Sequence, residues 1–333
     1  MTDLHGAEWL YEAGIGEDRA ILTCEGGIIE ARIERHDGIK SGLVTQAKLI
    51  KQLARGKRGI IELPGGEEAL LTPLSAGITE GQTLTVEITR EAIDEKSRFK
   101  LPLAKVADSE ARPAVTLLQR IEATRHPVRH CQAHQEDHFA AVGWHELIEE
   151  ARSGKVDFAG GSLLIGLTPA MALIDVDGDL PPLQLSLAAA GAAARAIRRL
   201  DLQGSIGIDF PDVGGKRQRQ QVVAAFDAAM AGDHERTAIN GFGFMQIITR
   251  RQRPSLPELL QRRRMTGHGL ELLRLAERDR QTGDMQLTAH PAVLAKLEQH
   301  TDWLDELGRR TGRRAALQRD PGLAIGGGYV AKT

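Results

Sequence analysis

Aromatic residues and cysteines are scarce in this sequence. Phe, Trp and Tyr make up 4% of its 333 residues, so a surface that binds nucleic acid would have few platforms on which bases can stack. The two cysteines, Cys24 and Cys131, are far apart and form no CxxC pair. This spacing argues against a disulfide framework or a four-cysteine zinc site, and it fits a reducing compartment.

Long apolar runs and an excess of basic charge are also absent. The first twenty residues are acidic and contain no apolar run of signal-peptide length. The most apolar window, residues 180–197, is rich in alanine and is interrupted by Pro181, Pro182 and Gly191, so it does not predict a membrane span. The net charge is −2, so a polyanionic partner would need local clusters of basic residues. We expect a cytoplasmic protein with no membrane partner.

The first third of the chain predicts antiparallel β-structure. Apolar and polar residues alternate through residues 8–35 and again through residues 42–105, with glycine-rich turns between the runs. Five short strands within residues 42–105 favour a small closed barrel of the oligonucleotide-binding (OB) kind. A small β-sandwich fits the same pattern almost as well.

The rest of the chain predicts layers of helices and strands. The strand-like runs ALIDVDG and GSIGIDFPD are separated by an alanine-rich helix and followed by a basic one, which is typical of a mixed α/β domain. Residues 254–269 predict a Pro- and Arg-rich link, and residues 291–312 predict a single helix. We therefore predict an α+β multidomain fold with N-terminal strands and an OB-like barrel, a connector, a mixed α/β domain and a small α/β C-terminal domain, at residues 1–105, 106–143, 144–258 and 259–333.

Two aspartates lie at the carboxyl ends of neighbouring predicted strands, Asp175 in ALIDVDG and Asp209 in IGIDFPD. Each lies in an apolar run, where a lone carboxylate is costly to bury. A hard cation such as Mg²⁺ binds one or two carboxylates together with water and substrate phosphate. These residues, with Asp177 and Asp212 nearby, therefore predict a magnesium site. The alternative is that the aspartates only form turns or helix caps.

Basic residues form three clusters in the second half of the chain. Beside a pair of metal-binding carboxylates, such clusters fit the binding of a phosphodiester backbone. For any single cluster, a solvated helix face is the alternative. The clusters are Lys216, Arg217 and Arg219, then Arg250, Arg251 and Arg253, and finally Arg262, Arg263 and Arg264.

A group of histidines offers a rival metal site between residues 126 and 138. The HxxxH spacings among His126, His130, His134 and His138 would place three of these side chains on one face of a helix. Pro127 and the polar surroundings weaken the helix prediction, so histidines exposed on a linker are the favoured interpretation. We expect no structural zinc.

The motifs from residue 146 to residue 256 resemble the catalytic domain of the ribonuclease E/G family. The matching segments, in order, are ALIDVDG, the alanine-rich helix, LDLQGSIGIDFPDV, KRQRQQVV and INGFGFMQIITRRQRPSL. This resemblance implies a deoxyribonuclease I-like fold for the catalytic domain. The segment from HPAVLAKLEQ to GYV resembles the family's small C-terminal domain. Residues 1–105 resemble its opening strands and its OB-like barrel, more weakly.

The resemblance implies roles for individual residues. Asp175 and Asp209 match the two aspartates that bind Mg²⁺, for which Mn²⁺ could substitute. Asp177 occupies a position where the family usually has asparagine, so we expect it to assist the site while adding negative charge. Lys96 is similar to a barrel lysine that contacts RNA.

The chain also departs from the family pattern. The positions of two base-stacking barrel phenylalanines look like Ile61 and Leu71, so we expect stacking to be lost while apolar contact remains. The acidic segment DLPP, residues 179–182, replaces a basic glycine-rich turn. The cysteine pair that links subunits through zinc is absent between residues 257 and 270. Only residues 106–143 occupy the place of the domain that senses a 5′-monophosphate, so the chain resembles a shortened member.

These observations predict a Mg²⁺-dependent endoribonuclease that cleaves single-stranded RNA and leaves a 5′-phosphate, acting in RNA processing or decay. Asp175, Asp177 and Asp209 are its predicted catalytic residues. RNA binding is predicted for Lys96, Arg217, Arg219, Arg250, Arg251 and Arg253, and no organic cofactor is expected. The main alternative is a non-catalytic RNA-binding protein derived from the same family, and a protein-interaction scaffold is a third class. The sequence leaves monomer and homodimer open.

Overall fold

The computed structural model describes residues 6–53, 57–95 and 99–332 of the protein. The chain divides into two compact units, each built from separate segments. The first unit contains residues 38–120 and 153–258, and the second contains the described part of residues 2–37 with residues 121–152 and 259–333. Each predicted domain is one continuous range of the sequence, whereas each observed unit combines separate segments. The four domain ranges therefore stay a prediction.

Strands and short helices follow one another along the described chain. The strands are β1 (Glu8–Ala13), β2 (Glu17–Cys24), β3 (Gly27–Arg35), β4 (Val44–Leu53), β5 (Arg58–Glu62), β6 (Glu68–Leu71), β7 (Thr83–Arg90), β8 (Ile93–Asp94), β9 (Phe99–Lys100), β10 (Leu103–Val106), β11 (Val128–His130), β12 (Lys155–Phe158), β13 (Gly161–Leu167), β14 (Ala172–Gly178), β15 (Ser205–Asp209), β16 (Glu235–Arg236), β17 (Phe244–Ile248), β18 (Met285–Ala289), β19 (Ala315–Arg319) and β20 (Tyr329–Lys332). The helices are α1 (Leu117–Glu122), α2 (His138–Ala141), α3 (Trp144–Ser153), α4 (Pro182–Arg199), α5 (Lys216–Ala229), α6 (Leu256–Arg262), α7 (Arg264–Arg278), α8 (Pro291–Glu298) and α9 (Thr301–Thr311).

A closed five-stranded barrel is part of the first unit. Its strands follow the order β10-β6-β5-β4-β7, and β10 closes it by pairing in parallel with β6 and antiparallel with β7. The inward side chains form a continuous apolar core that includes Leu49, Ile61, Leu71 and Val86. The closed strand order confirms the predicted five-stranded barrel rather than the β-sandwich, and the alternating apolar residues fill its interior.

A six-stranded sheet, in the order β12-β13-β14-β15-β17-β16, is also part of the first unit, as is the two-stranded sheet β8-β9. Its central pair, β14 and β15, is parallel, and the other neighbouring strands are antiparallel. Helix α4 makes the parallel connection between them, as a parallel pair requires a long crossover. The mixed α/β architecture predicted for this part of the chain is confirmed.

Helix α4 covers only one face of this sheet. Its leucine Leu185 lies against the position that a side chain would occupy at Gly178, at the end of β14. Ile174 and Val176 project to the same face as Gly178 and are buried. Asp175 and Asp177 project to the opposite face because side chains alternate along a strand, and both are exposed. The open face of the sheet therefore carries the acidic residues.

The second unit contains two smaller sheets, β11-β1-β2-β3 and β19-β18-β20. Helices α7, α8 and α9 share an apolar core with β18 that includes Leu273, Leu287, Leu294 and Trp303. Four of its charged side chains form a cluster: Glu12, which is 5% exposed, contacts Arg19, Arg274 and Arg278. Asp137 accepts hydrogen bonds from Arg274 at 3.0 and 3.1 Å. No helix in the described residues is long and apolar enough to cross a membrane.

Two predictions for the C-terminal region are wrong. Residues 254–269 are mostly helical rather than a link, because Ser255 and Glu258 form a capping box in which the backbone N–H of Ser255 donates to Glu258 at 2.9 Å. The predicted single helix over residues 291–312 is divided into α8 and α9. The division falls at His300, whose backbone N–H donates to the carbonyl of Leu297 at 3.0 Å.

Candidate functional site

Asp175 and Asp209 are neighbours across the two parallel strands at the centre of the sheet. The register of β14 and β15 pairs Asp175 directly with Asp209. Neighbouring strands lie about 4.8 Å apart, and paired residues project to the same face. The sheet therefore holds two carboxylates side by side on its open face.

Neither carboxylate is buried, although both lie in apolar runs of the sequence. Asp175, Asp177 and Asp209 are all exposed, because the apolar neighbours in sequence project to the opposite face. Within the described part of the chain, no hydrogen bond or ion pair engages the side chain of any of the three. Two adjacent anions without a protein cation repel each other and attract a cation from solution.

Asp177 and Asp212 differ in their relation to this pair. Asp177 lies two residues beyond Asp175 on the same face of β14 and pairs with Ser162 of β13. Asp212 accepts a hydrogen bond from the backbone N–H of Gly214 at 2.9 Å, so its carboxylate stabilises a turn. The turn interpretation therefore holds for Asp212, whereas no such bond engages Asp175 or Asp209.

These residues fit a magnesium ion. Mg²⁺ typically binds one or two carboxylates and keeps the remaining positions for water and substrate phosphate. The exposed pair offers oxygen ligands of that kind and leaves the solvent side open. In the described residues no group of three or more His, Cys, Asp or Glu side chains could hold a metal, so a cage made entirely of protein ligands is not formed there.

A tight turn at residues 240–244 leads into β17 and lies against the end of β15. The backbone N–H of Phe210, which follows Asp209, donates to the carbonyl of Gly243 at 3.1 Å. Gly243 has a φ of +86°, and a Cβ there would lie 2.2 Å from the carbonyl oxygen of Phe210, so only glycine fits. Phe242, which the sequence analysis did not single out, lies in this turn and is 92% exposed. An aromatic residue in the segment NGFGF is the signal that could have identified it.

Apolar side chains border the carboxylates on the open face. A Cβ at Gly207, two residues before Asp209, would lie 2.4 Å from the ring of Phe244 and 3.0 Å from Leu173. Phe244 and Leu173 therefore cover Gly207 beside the acidic pair. Leu164, the partner of Asp175 on β13, is 44% exposed.

The predicted arginines lie at two different ends of β15. Arg217 and Arg219 begin helix α5, just beyond the loop that follows Asp209, and the Arg219 guanidinium donates to the carbonyl of Gly214 at 2.5 Å. Arg217 is exposed. Arg250 is also exposed, but it follows β17, whose last residue Ile248 pairs with Ser205 at the opposite end of β15.

Arg251 and Arg253 have partners within the protein. Arg251 is ion-paired with Glu258, and Arg253 donates to both carboxylate oxygens of the buried Asp201, at 2.7 and 3.1 Å. A bidentate pair of this kind fixes a guanidinium. Arg263, from the third basic cluster, is ion-paired with Asp37 at 2.8 Å. These guanidiniums are therefore less free to bind a phosphate than Arg217.

The barrel corrects one further expectation. Ile61 and Leu71 are both 0% exposed and belong to the barrel core, so the prediction that they keep an apolar contact with RNA is wrong. Their inward orientation follows from the alternation of side chains along β5 and β6. Lys96 lies outside the described residues. The nearby Lys100 donates to the carbonyl of Pro169 at 2.8 Å.

The histidine group shows no arrangement that would bind a metal. The ring of His130 packs edge-on against Tyr11 with 5.5 Å between centroids, and it lies on strand β11 rather than on a helix. His138 begins the short helix α2. No set of three metal-ligating side chains is present in the described residues, so the helical HxxxH site is not formed.

The first unit thus combines a closed barrel with a mixed α/β sheet that carries the paired carboxylates. The sequence model of the ribonuclease E/G family matches residues 78–253, which is more than half of the chain and includes Asp175 and Asp209. The chain belongs to the ribonuclease E/G family.

Relatives in this family share limited identity with the chain. It is 30% identical to Ribonuclease G of Salmonella typhimurium over 143 residues, which is 39% of this chain and 29% of the relative. It is 32% identical to the chloroplastic Ribonuclease E/G-like protein of Arabidopsis thaliana over 126 residues, 33% of this chain and 13% of the relative. It is 33% identical to Ribonuclease E of Haemophilus influenzae over 112 residues, 30% and 12% of the two chains. The similarity thus spans less than a third of each of these relatives.

Proposed function

We propose that the protein is a divalent-metal-dependent endoribonuclease that cleaves single-stranded RNA and leaves a 5′-phosphate, in RNA processing or decay. The observation that carries this proposal is the register pairing of Asp175 with Asp209 on the open face, where no cation among the described residues pairs with either carboxylate. A purely structural role would not explain this pair, because like charges on neighbouring strands destabilise a sheet. Membership of the ribonuclease E/G family is the basis for proposing RNA cleavage as the reaction.

The two carboxylates would hold the metal, with Asp177 adding charge from two residues along the same strand. Mg²⁺, or Mn²⁺ in its place, would supply Lewis-acid stabilisation of the phosphate and an activated water. In the hydrolysis, water adds to phosphorus and the P–O3′ bond breaks, so one product keeps a 3′-hydroxyl and the other a 5′-phosphate. Arg217 and Arg219, near the end of β15, would position the RNA backbone, with Arg250 extending this contact.

The barrel is the second surface that we assign to RNA. Its closed five-stranded form suits an OB-like domain, and Lys96 belongs to the same region of the sequence. Residues 144–258 are the deoxyribonuclease I-like part of this proposal. We also propose a cytoplasmic location and no structural zinc. Elemental analysis that finds about one zinc per chain would contradict the latter, and size-exclusion chromatography would distinguish monomer from homodimer.

A non-catalytic RNA-binding protein is the second candidate. The observations that favour it are departures from the family pattern: Ile61 and Leu71 stand where the barrel phenylalanines are expected, and the acidic segment DLPP, residues 179–182, replaces a basic turn. The unneutralised aspartates argue for catalysis, since a simple RNA-binding surface has no use for anions that face phosphates.

Titration of Mg²⁺ or Mn²⁺ against cleavage of an end-labelled single-stranded RNA tests the proposal. We expect cleavage that depends on metal, stops in EDTA and leaves 5′ ends that can be ligated. Asp212→Asn is the matched control, because Asp212 stabilises a turn, and it should retain cleavage. Binding without cleavage at any metal concentration would favour the second candidate, and absence of both would favour a protein-interaction scaffold.

A further inference from the structure

Phe242 is the most exposed of the large apolar side chains in the described residues, at 92%. A single exposed apolar side chain is ordinary on a protein surface, so exposure alone assigns it no role. Its position and its fixed backbone distinguish it. Both follow from the turn at residues 240–244, which connects to the strand next to Asp209.

The backbone of this turn is held in one conformation. The side-chain oxygen of Asn240 accepts hydrogen bonds from the backbone N–H groups of Phe242 at 2.8 Å and Phe244 at 3.1 Å. The backbone N–H of Asn240 donates to the carbonyl of Phe244 at 3.0 Å. Gly243 adopts the positive φ that lets the turn close against Phe210. The turn therefore holds the backbone of Phe242 in place, and the aromatic side chain projects into solvent.

That point lies beside the acidic pair. Phe244 is the register partner of Asp209, and Phe242 is two residues away, a distance of at most about 7 Å along the chain. The turn is bonded to Phe210, the residue that follows Asp209. Partly exposed Phe244 and exposed Leu173 cover the neighbouring Gly207, so the approach to the carboxylates has an apolar border.

We propose that Phe242 is a base-stacking residue, on which the base of a nucleotide next to the metal-bound phosphate rests. This inference rests on the proposed function for the identity of the phosphate. An aromatic ring beside the two carboxylates suits single-stranded RNA. One phosphate of the strand can reach the metal while the neighbouring base stacks on the ring. Stacking of this kind tolerates any base, since every base has such a face. The proposal also places an aromatic contact on the six-stranded sheet, whereas the barrel positions Ile61 and Leu71 are buried.

The test measures binding of a fluorescein-labelled single-stranded oligoribonucleotide by anisotropy in Mg²⁺. The parent protein carries Asp209→Asn so that the RNA stays intact. Phe242→Leu keeps an apolar side chain at an exposed position, so the fold should be unaffected, and we expect about tenfold weaker binding. Phe242→Trp should bind within about twofold of the parent. Tyr329→Leu, which removes an exposed aromatic ring of the second unit, is the matched control and should leave affinity unchanged.

A series of oligoribonucleotides with one abasic position each identifies the contact. The parent should lose affinity when one particular base is removed, and Phe242→Leu should be insensitive to removal of that same base. Equal binding by the parent and Phe242→Leu, or the same abasic profile in both, would overturn the proposal, as would failure of the parent to bind any of these RNAs. If the wild-type protein binds with this pattern but never cleaves, the stacking role stands and the proposed catalytic function fails.

Discussion

Two groups of acidic side chains, one in each unit, have opposite surroundings. In the second unit, Glu12 is buried and contacts three arginines, Arg19, Arg274 and Arg278. In the first unit, Asp175 and Asp209 lie side by side on an open face, with no ion pair to either among the described residues. A buried charge that is surrounded by partners belongs to the fold, because leaving it alone would be costly. An exposed pair of like charges costs stability, which is why we propose that this pair binds a cation.

The largest expected effect concerns the exposed pair. Asp175→Asn or Asp209→Asn should slow Mg²⁺-dependent cleavage by about a thousandfold or more, a rise of about 4 kcal/mol in the barrier, because each removes an anionic ligand. RNA binding should survive or improve, since an anion that repels phosphate is gone. Cleavage rates at several Mg²⁺ concentrations and anisotropy measure the two effects, and equal cleavage by both variants and the wild type would refute the site.

The same variants should not weaken the fold. Without metal, removing one of two like charges across neighbouring strands should leave the free energy of unfolding unchanged or raise it by about 0.5 kcal/mol. Denaturant unfolding with and without Mg²⁺ provides the measurement, and added Mg²⁺ should stabilise only the wild type. A large loss of stability would show that the carboxylates have structural partners.

The next effect concerns the buried carboxylate. Glu12→Gln should lower the free energy of unfolding of the second unit by about 3–5 kcal/mol, because it leaves buried guanidiniums without their anion. Urea unfolding at neutral pH measures the loss. Glu298→Gln is the matched control: Glu298 pairs with Arg319 at 2.6 Å, but both side chains are exposed, so a change below about 1 kcal/mol is expected.

The pH dependence of this effect has a definite sign. Burial alone would raise the pKa of Glu12, but the charges of Arg19 and Arg274 hold this pKa below its ordinary value. The stability that the ionised form supplies is therefore present above the ordinary pKa of a glutamate and is lost as the pH falls towards the lowered one. The difference between wild type and Glu12→Gln should shrink on acidification below about pH 4, and a difference that grows would contradict the assignment.

Local patterns in the sequence predicted most of the architecture of the first unit. The alternation of apolar residues identified the barrel strands, and the run Leu173-Ile174-Asp175-Val176-Asp177 identified β14. The same alternation shows why the carboxylates are exposed: Ile174 and Val176 occupy one face and the aspartates occupy the other. The cost of burying Asp175 and Asp209 does not arise, because their apolar neighbours along the chain project to the other face.

Features that depend on caps or on distant segments were harder to predict. Helix α6 was missed because the Pro- and Arg-rich composition of residues 254–269 concealed the capping box of Ser255 and Glu258. Strand β11 pairs in parallel with β1, more than a hundred residues earlier, and no local pattern encodes such a pairing. The exposure of Phe242 depends on a turn that is fixed by Asn240 and Gly243, so the sequence suggests it only once β15 and β17 are known to be neighbours.

A smaller effect should distinguish Arg253, which is paired with Asp201, from the exposed arginines Arg217 and Arg250. Arg217→Ala or Arg250→Ala should weaken RNA binding by about three- to tenfold at low salt and reduce the salt dependence of log Kd by about one charge each. Arg253→Ala should instead lower the free energy of unfolding by about 2 kcal/mol, because Asp201 loses its bidentate partner, and should leave the salt dependence unchanged. Anisotropy at several salt concentrations and urea unfolding distinguish the two behaviours. An unchanged salt dependence for Arg217→Ala and Arg250→Ala would remove them from the RNA surface.

The connection between the barrel and the sheet bears on recognition of the RNA 5′ end. By the family resemblance, sensing of a 5′-monophosphate needs a separate domain at this place in the chain. Here the described residues 106–143 form only α1, β11 and α2, and β11 extends the sheet of β1. The hydroxyl of Thr124 accepts a hydrogen bond from the indole of Trp9 at 2.9 Å, and Arg129 is ion-paired with Glu8 at 3.1 Å. The hydroxyl of Thr124 and the guanidinium of Arg129 therefore already have partners within the protein.

The smallest expected effect is on this recognition. Because Thr124 and Arg129 already have partners within the protein, we expect no 5′-phosphate pocket between residues 106 and 143. One RNA carrying a 5′-hydroxyl, a 5′-monophosphate or a 5′-triphosphate should therefore be cleaved at rates that agree within about threefold. This corresponds to a difference in barrier below about 1 kcal/mol. Single-turnover cleavage of the three RNAs at one internal site provides the measurement. A preference of tenfold or more for the monophosphate would reveal a phosphate contact, and Arg125→Ala and Arg129→Ala would then show whether residues 106–143 supply it.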